Sequence, residues 1–335
     1  MNRREMLQTT GAAAIGAGLS CFPLGWTAAA APAKKKILMF TRSQTFEHPS
    51  ISHNAEQAWV REVDGQIQIV EKTGEKRKVG GLGWAEKVLT DLGAKHGFDV
   101  TATKDSRIFS SKEIDQFDAF FFYTTGDLTQ PGGDGNPPMT PEGKQAFLDA
   151  IRGGKAFIGT HSASDTFHSP GDRFDPKPPA KLDPYIEMIG GEFIRHGPQQ
   201  VARMTVAGTK FPGVSPVGDG FDINDEWYAL RNFQPNLHVV LIQETKGMTG
   251  NDYQRPPYPA TWARTHGQGR VFYTSMGHRA DAWVNPNFQS VLLGGIAWAL
   301  RNVDADMTPN IERVTPKASD IPPEALARPE TKKKA

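Results

Sequence analysis

The chain has 335 residues, 38% hydrophobic and 22% charged, enough for one large core and ordinary for a globular fold. Lys and Arg number 38 against 37 Asp and Glu, so no basic surplus draws the chain to nucleic acid, and the like-charge runs Lys34 to Lys36 and Lys332 to Lys334 read as solvated ends. The single cysteine, Cys21, lies in an N-terminal segment expected to be removed, which excludes disulfides, thiolate metal ligands and a cysteine nucleophile from the mature chain.

That segment, residues 1–31, reads as a twin-arginine export signal. Asn2-Arg3-Arg4-Glu5-Met6-Leu7 precedes an apolar, Gly/Ala-rich run from Gly11 to about Trp26, and Ala28 to Ala31 offer a small-residue cleavage site. The run is too short and too small-residued for a spanning helix, which needs about 20 strongly apolar residues. The reading predicts a periplasmic or extracellular protein with no stable membrane anchor. Twin-arginine export carries proteins already folded, which favours a cofactor loaded beforehand.

Beyond the signal, strand-like and helix-like runs alternate. KKILMFT (35–41) is followed by WAEKVLTDLGAKHG with apolar positions at helical spacing, then FDVTAT and FDAFFFYTTG. PEGKQAFLDAIRGG opens with Thr140 as N-cap and Pro141 at the first helical position, and KAFIGTH comes next. Near-continuous apolar strands between amphipathic helices predict a doubly wound α/β domain with a mostly parallel sheet, over about 32–306. QVARMTV, HVVLIQET, YPATWAR and GRVFYTSMG are expected to extend that sheet in antiparallel fashion, with His266 to Gly269 as a turn, and FQSVLLGGIAWALRN closes the domain as a helix. Asp64 to Gly81 reads as an inserted hairpin with arms 63–70 and 76–79. From Thr308, or about residue 307, to 335, a composition of Pro, Lys, Glu and Ala predicts a loosely attached tail.

In an open α/β sheet, ligands bind beyond the carboxyl ends of the strands. The first strand runs into a polar stretch ending at His48, FDAFFFYTTGD ends in Thr124, Thr125 and Asp127, KAFIGTH ends in His161 with Asp165 shortly after, and GRVFYTSMGH ends in His278. Three of the nine histidines therefore stand just past three strand ends. His161 occupies the tight turn after Gly159, where other α/β enzymes display a Ser or Cys nucleophile. Two chemistries stay open. In one, His48, His161 and His278, with Glu226 or Asp165 as oxygen ligand, hold a divalent cation such as Zn, Fe, Mn or Ni. In the other, His161 and His278 act as base and acid and Asp165 fixes a tautomer. Asp225-Glu226-Trp227-Tyr228 sets two acids before two aromatics, a pairing suited to a sugar. Thr125, Asp127, Asp225, Trp227, Tyr228 and His196 are thus candidate substrate contacts, with Trp283 as a further stacking face. His53, His96, His238 and His266 are expected to be structural.

The motifs resemble those of the ThuA-like trehalose-utilisation family, whose fold is that of the class I glutamine amidotransferases. They are KILMFTRSQTFEHPSI, TTGDL (Thr124 to Leu128), GGKAFIGTHSASDTF, YIEMIGGEFIRHGPQQ (Tyr185 to Gln200), DEWY (Asp225 to Tyr228) and GRVFYTSMGHRADAW with FQSVLLGGIAWAL, in order from about Lys35 to Asn302. The stretch from Trp59 to Gly83 departs from the family as an insertion. The resemblance implies carbohydrate catabolism on disaccharides or their 3-keto derivatives, with a small carbohydrate as ligand. Where the amidotransferases carry their catalytic Cys this chain has His161, so a glutaminase mechanism is excluded.

Overall fold

The computed structural model describes residues 33–53, 60–63, 66–69, 81–133 and 135–328; residues 1–31, read as an export signal, and the expected arm 76–79 lie outside the described residues. The elements in chain order are β1 Lys35–Phe40, β2 Val60–Val63, β3 Gln66–Ile69, α1 Trp84–His96, β4 Phe98–Thr103, β5 Ala119–Phe122, α2 Pro141–Arg152, β6 Ala156–Thr160, α3 Pro184–Ile189 and β7 Glu192–His196. After these come β8 Gln200–Val206, β9 Gly220–Asp225, β10 Tyr228–Arg231, β11 His238–Gln243, β12 Tyr258–His266, β13 Gly269–Thr274, α4 Pro286–Ala299, α5 Ile311–Val314 and α6 Pro323–Leu326.

Nine strands form one sheet in the order β4-β1-β5-β6-β13-β12-β11-β8-β9. The first five run parallel, and β13 to β9 are joined by antiparallel pairings, as the sequence pattern predicts. The pleat of β1 shows why its apolar run is continuous. Ile37 and Met39 pack with Leu89 of α1 and Val291 of α4 on one face, while Leu38 and Phe40 pack with Phe147 of α2 and Ile186 of α3 on the other. The result is a flavodoxin-like, doubly wound sheet with an antiparallel end.

Thr140 caps α2 by accepting the Gly143 amide at 3.0 Å, as its place before Pro141 predicts. Two expectations need correction. One strand, Gln66–Ile69, falls within the expected arm 63–70, but it pairs with Val60–Val63, Val60 opposite Ile69 and Val63 opposite Gln66, a strand that the sequence pattern does not predict. The tail is docked as far as residue 328. Asn310 accepts the amide of Val239 at 2.6 Å and donates to its carbonyl at 3.0 Å, and Ile311, Ala318, Ala325 and Leu326 are buried. Sparse apolar residues in a Pro-rich segment carry no periodicity, so the docking leaves little trace in the sequence. Among the described residues no helix is long and apolar enough to cross a membrane.

Candidate metal centre

β6 is wholly buried and ends at Thr160, and His161 comes next with φ +42°, in the left-handed region that a non-glycine residue adopts only under constraint. The constraint is visible. Tyr273 Oη donates to the His161 carbonyl at 2.7 Å, and His161 Nδ1 lies 3.1 Å from the carbonyl of Ser275. A carbonyl only accepts, so Nδ1 carries the proton and Nε2 presents its lone pair to the site. From His161 to Asp165 the chain makes a single 3-10 turn and not a helix; Asp165 closes that turn, and the next helix begins only at Pro184.

Three more donors converge on His161. His48 stands on the loop after β1, which Ser50 ties to the His278 carbonyl at 2.7 Å and Glu47 ties to Lys104 at 3.0 Å. His278 stands on the loop after β13, and Glu226 between β9 and β10. Asp225 locks the last two together. Its buried carboxylate accepts the amides of Gly277 at 2.7 Å, Arg279 at 3.0 Å and Glu226 at 3.0 Å. Burial pushes the Asp225 carboxyl up to about 6, against the lowering pull of His161 and of these amides.

One ligand atom from each of His48, His161, Glu226 and His278 lies within 4.8 Å of every other, and all four side chains are buried. His161 Nε2 is 3.2 Å from His278 Nδ1 and 3.5 Å from Glu226 Oε2, which is 3.3 Å from His278 Nδ1. Two donors bound to one ion at roughly 2.1 Å are about 3.0 Å apart at a right angle and about 3.4 Å apart at the tetrahedral angle. The three edges among His161, His278 and Glu226 have about the size of a first coordination sphere, and His48 completes the set within 4.8 Å. The protonation states agree with that use. Burial, and then His161, hold His278 down at about 3, and burial with the neighbouring imidazoles of His161, His278 and His196 holds His48 well below its ordinary value. Burial pushes the Glu226 carboxyl up, but its contact with His161 and the nearness of His278, His161 and His196 outweigh it and leave the group below the usual range. Neutral imidazoles and an ionised carboxylate are the forms that bind a cation. His48 Nδ1 is buried without a hydrogen-bond partner among the described residues. Gln199 Nε2 donates to His278 Nε2 at 3.0 Å while its Oε1 accepts from Arg279, so in this arrangement His278 carries its proton on Nδ1, pointing to His161 Nε2, and a cation would take that proton's place as the carboxamide turned.

His48, Glu226 and His278 line a pocket of about 860 Å³ together with Phe46, Asp165, His168, Arg173, Phe193, His196 and Tyr228, and His161 lies behind them. His196 ends β7, and its Nδ1 is 3.4 Å from Glu226 Oε1. Tyr228 Oη is 3.4 Å from His48 Nε2. Other expected contacts lie elsewhere. Trp227 and Trp283 are core residues with 0% exposure whose indole N–H groups already donate to the carbonyls of Gln200 and Gly277, so neither ring offers a face to a sugar. Thr125 is buried and donates to the Phe46 carbonyl at 2.7 Å, holding the loop that bears His48. Asp127 is exposed and caps its own turn through Thr129, and Asp225 spends its carboxylate on the three amides. Asp165 meets neither His161 nor His278 by hydrogen bond; its partner is His168, at 2.6 Å. Of the histidines read as structural, His53 does so by pairing with Glu86 at 2.7 Å.

His168, Phe46 and Arg173 are pocket residues that strand-end reasoning does not reach. Phe46 lies between Thr45 and Glu47 in the polar run toward His48, an isolated aromatic whose 60% exposure only the fold reveals. His168 stands seven residues after His161, and its other partner, Glu192, comes 24 residues later.

The profile of the ThuA family, described as trehalose utilisation, matches residues 36–299. Among solved structures, a ThuA-like protein of Bacteroides uniformis shares 16% identity over 82% of this chain and 95% of its own, with a TM-score of 0.52. One from Parabacteroides merdae shares 16% identity over 83% and 95%, with a TM-score of 0.51. At that identity the two establish the fold. No curated protein gives a significant sequence match.

Proposed function

The chain belongs to the ThuA trehalose-utilisation family, and from that premise we propose that it is an exported, metal-dependent enzyme of carbohydrate breakdown, a hydrolase or lyase acting on a disaccharide, a glycoside or a 3-keto derivative of one. The observation that carries the reading is the buried set of three imidazoles and one carboxylate whose ligand atoms all lie within 4.8 Å of one another, beside a pocket large enough for a sugar ligand.

A divalent ion held there supplies a Lewis acid that polarises a sugar carbonyl or acidifies a water. The rest falls to the chain. Ser275 fixes the His161 tautomer, Asp225 fixes the backbone that carries Glu226 and His278, and His196, half-exposed beside Glu226, is placed to pass a proton between the pocket and solvent. The rival of another class, a non-catalytic carbohydrate-binding protein, requires a sugar stacked on Trp227, Tyr228 and Trp283, and two of those rings are sealed in the core.

Elemental analysis of protein folded in metal-replete medium, repeated on His161→Ala, tests the centre: near-stoichiometric metal lost in the variant supports it, and metal-free wild type removes it. Incubation with a panel of glycosides and their 3-keto forms, with products read by mass spectrometry, tests the activity. Saturable binding without product on every member returns the assignment to the binding protein.

A further inference from the structure

The pocket runs from His48, Glu226 and His278 to a second polar station. Asp165 Oδ1 lies 2.6 Å from His168 Nε2 and 3.6 Å from Arg173 Nη1. The other ring nitrogen of His168 is 3.2 Å from Glu192 Oε1, a carboxylate that also accepts the Ser169 amide at 2.7 Å and Asn232 Nδ2 at 2.6 Å. Carboxylates on both ring nitrogens require both to be protonated, so His168 is an imidazolium. Two cations, His168 and Arg173, stand against two anions, Asp165 and Glu192, and the station is electrically balanced.

Two aromatic rings separate it from the metal donors. Tyr228 lies 4.2 Å from the His161 ring, Phe193 lies 4.1 Å from Tyr228, and the Arg173 guanidinium sits 5.3 Å from the Phe193 ring centre. Phe46 lines the same pocket from the loop that carries His48. That loop closes onto the backbone of Asp165 through Gly126, whose amide donates to the Asp165 carbonyl at 2.7 Å and whose φ of +75° beside Gln44 and Thr45 leaves no room for a side chain.

We propose that Asp165 is a specificity-determining residue whose carboxylate accepts hydroxyls of a second, neutral sugar unit, the one remote from the metal donors, with His168 and Arg173 as positioning residues. The inference rests on the sugar-active reading above. Asp165 Oδ2 makes no hydrogen bond among the described residues, so an ionised oxygen remains to receive hydroxyls, and such charge-assisted bonds are the strong ones. Phe46 supplies an apolar face for the C–H side of a pyranose. A phosphorylated or uronic unit would set its own anion against Asp165 in a station with no net positive charge to compensate, which selects for a neutral ring.

The experiment titrates metal-loaded protein calorimetrically with neutral disaccharides (trehalose, maltose, cellobiose, lactose), with their 3-keto forms and with the matching methyl monoglycosides. The expected result is that at least one disaccharide binds more tightly than its methyl monoglycoside. Asp165→Asn then weakens that disaccharide by about tenfold to a hundredfold, the loss of a charged hydrogen bond, with metal content and monoglycoside affinity unchanged. His168→Gln and Arg173→Gln shift the same ratio in the same direction, a selectivity that a general loss of structure does not produce. Arg173 is also exposed enough to be replaced without disturbing the core should Asp165→Asn misfold. Equal binding of disaccharide and monoglycoside, or variants that weaken both alike or neither, overturns the role of Asp165 while leaving the sugar-active reading in place. Wild type that binds no sugar in the panel overturns both.

Discussion

The His168 station stores stability in a pH window that its geometry fixes. Burial alone lowers the imidazole, but the hydrogen bonds and charges of Asp165 and Glu192 outweigh it and raise the group from 6.5 to about 9. A tenfold change in proton affinity corresponds to about 1.4 kcal/mol, so the imidazolium contributes about 3 kcal/mol to folding. A base raised in the folded state gives that contribution in full below the unfolded value of 6.5 and loses it as pH climbs through about 9. Glu192 acts at the other end. Its carboxyl is held low, once burial is overcome by His168, the Ser169 amide and Asn232, so its share is lost only as pH falls into the acid range. His168→Gln keeps the size of the side chain and removes the charge. In urea titrations at about pH 6, 7.5, 9 and 10, the wild type is expected to exceed the variant by an amount that shrinks by about 3 kcal/mol across the series. A gap that does not change with pH, or a His168 resonance that titrates near 6.5 by NMR, refutes the reasoning.

The docked tail and the Asp225 lock give two further expected outcomes. Ending the chain after Asp306 strips Ile311 and Leu326 from their burial sites and the Ala318 carbonyl from the buried Arg255, and is expected to cost about 3–6 kcal/mol from the two apolar side chains alone; an unchanged melting temperature would refute the docking. Asp225→Ala leaves three amides around Glu226 and His278 without their acceptor, so it is expected to destabilise the fold by about 3 kcal/mol or more and to lower metal retention, checked by denaturation and elemental analysis; full metal content in a folded variant would show that Asp225 does not set the donors.

The sequence makes some of this legible for definite reasons. Buried parallel strands need apolar side chains on both faces, so AFFF and AFIG stand out, and the rule that polar groups gather at strand ends then points to His48, His161 and His278 without any knowledge of distances. Glu226 is legible from its place beside aromatics, but the neighbouring Asp225 and Trp227 do not take the roles their chemistry fits. An acid, an aromatic and their order look the same whether they face a ligand, three backbone amides or the core, and only the path of the chain from β9 to β10 decides. The tail misleads for a similar reason: Asn310 pairs with both backbone groups of Val239, 71 residues earlier, an interaction with no local periodicity.

The elbow shows how the structure weighs the two chemistries that the sequence leaves open. A histidine that serves as a general base gains from a carboxylate on its far nitrogen, which stabilises the imidazolium as it forms. His161 has a neutral carbonyl there, from Ser275, which fixes orientation and tautomer but gives a charged ring far less support. Asp165, the carboxylate assigned that duty in the acid–base scheme, is engaged with His168 and Arg173 instead. A ring with its proton pinned on Nδ1, its Nε2 aimed at a carboxylate and two further imidazoles, and no anion behind it suits the proposed metal centre better than general-base catalysis, and there the positive φ at His161 would have a purpose: it turns the imidazole off the end of β6 to where the loops after β1, β9 and β13 meet.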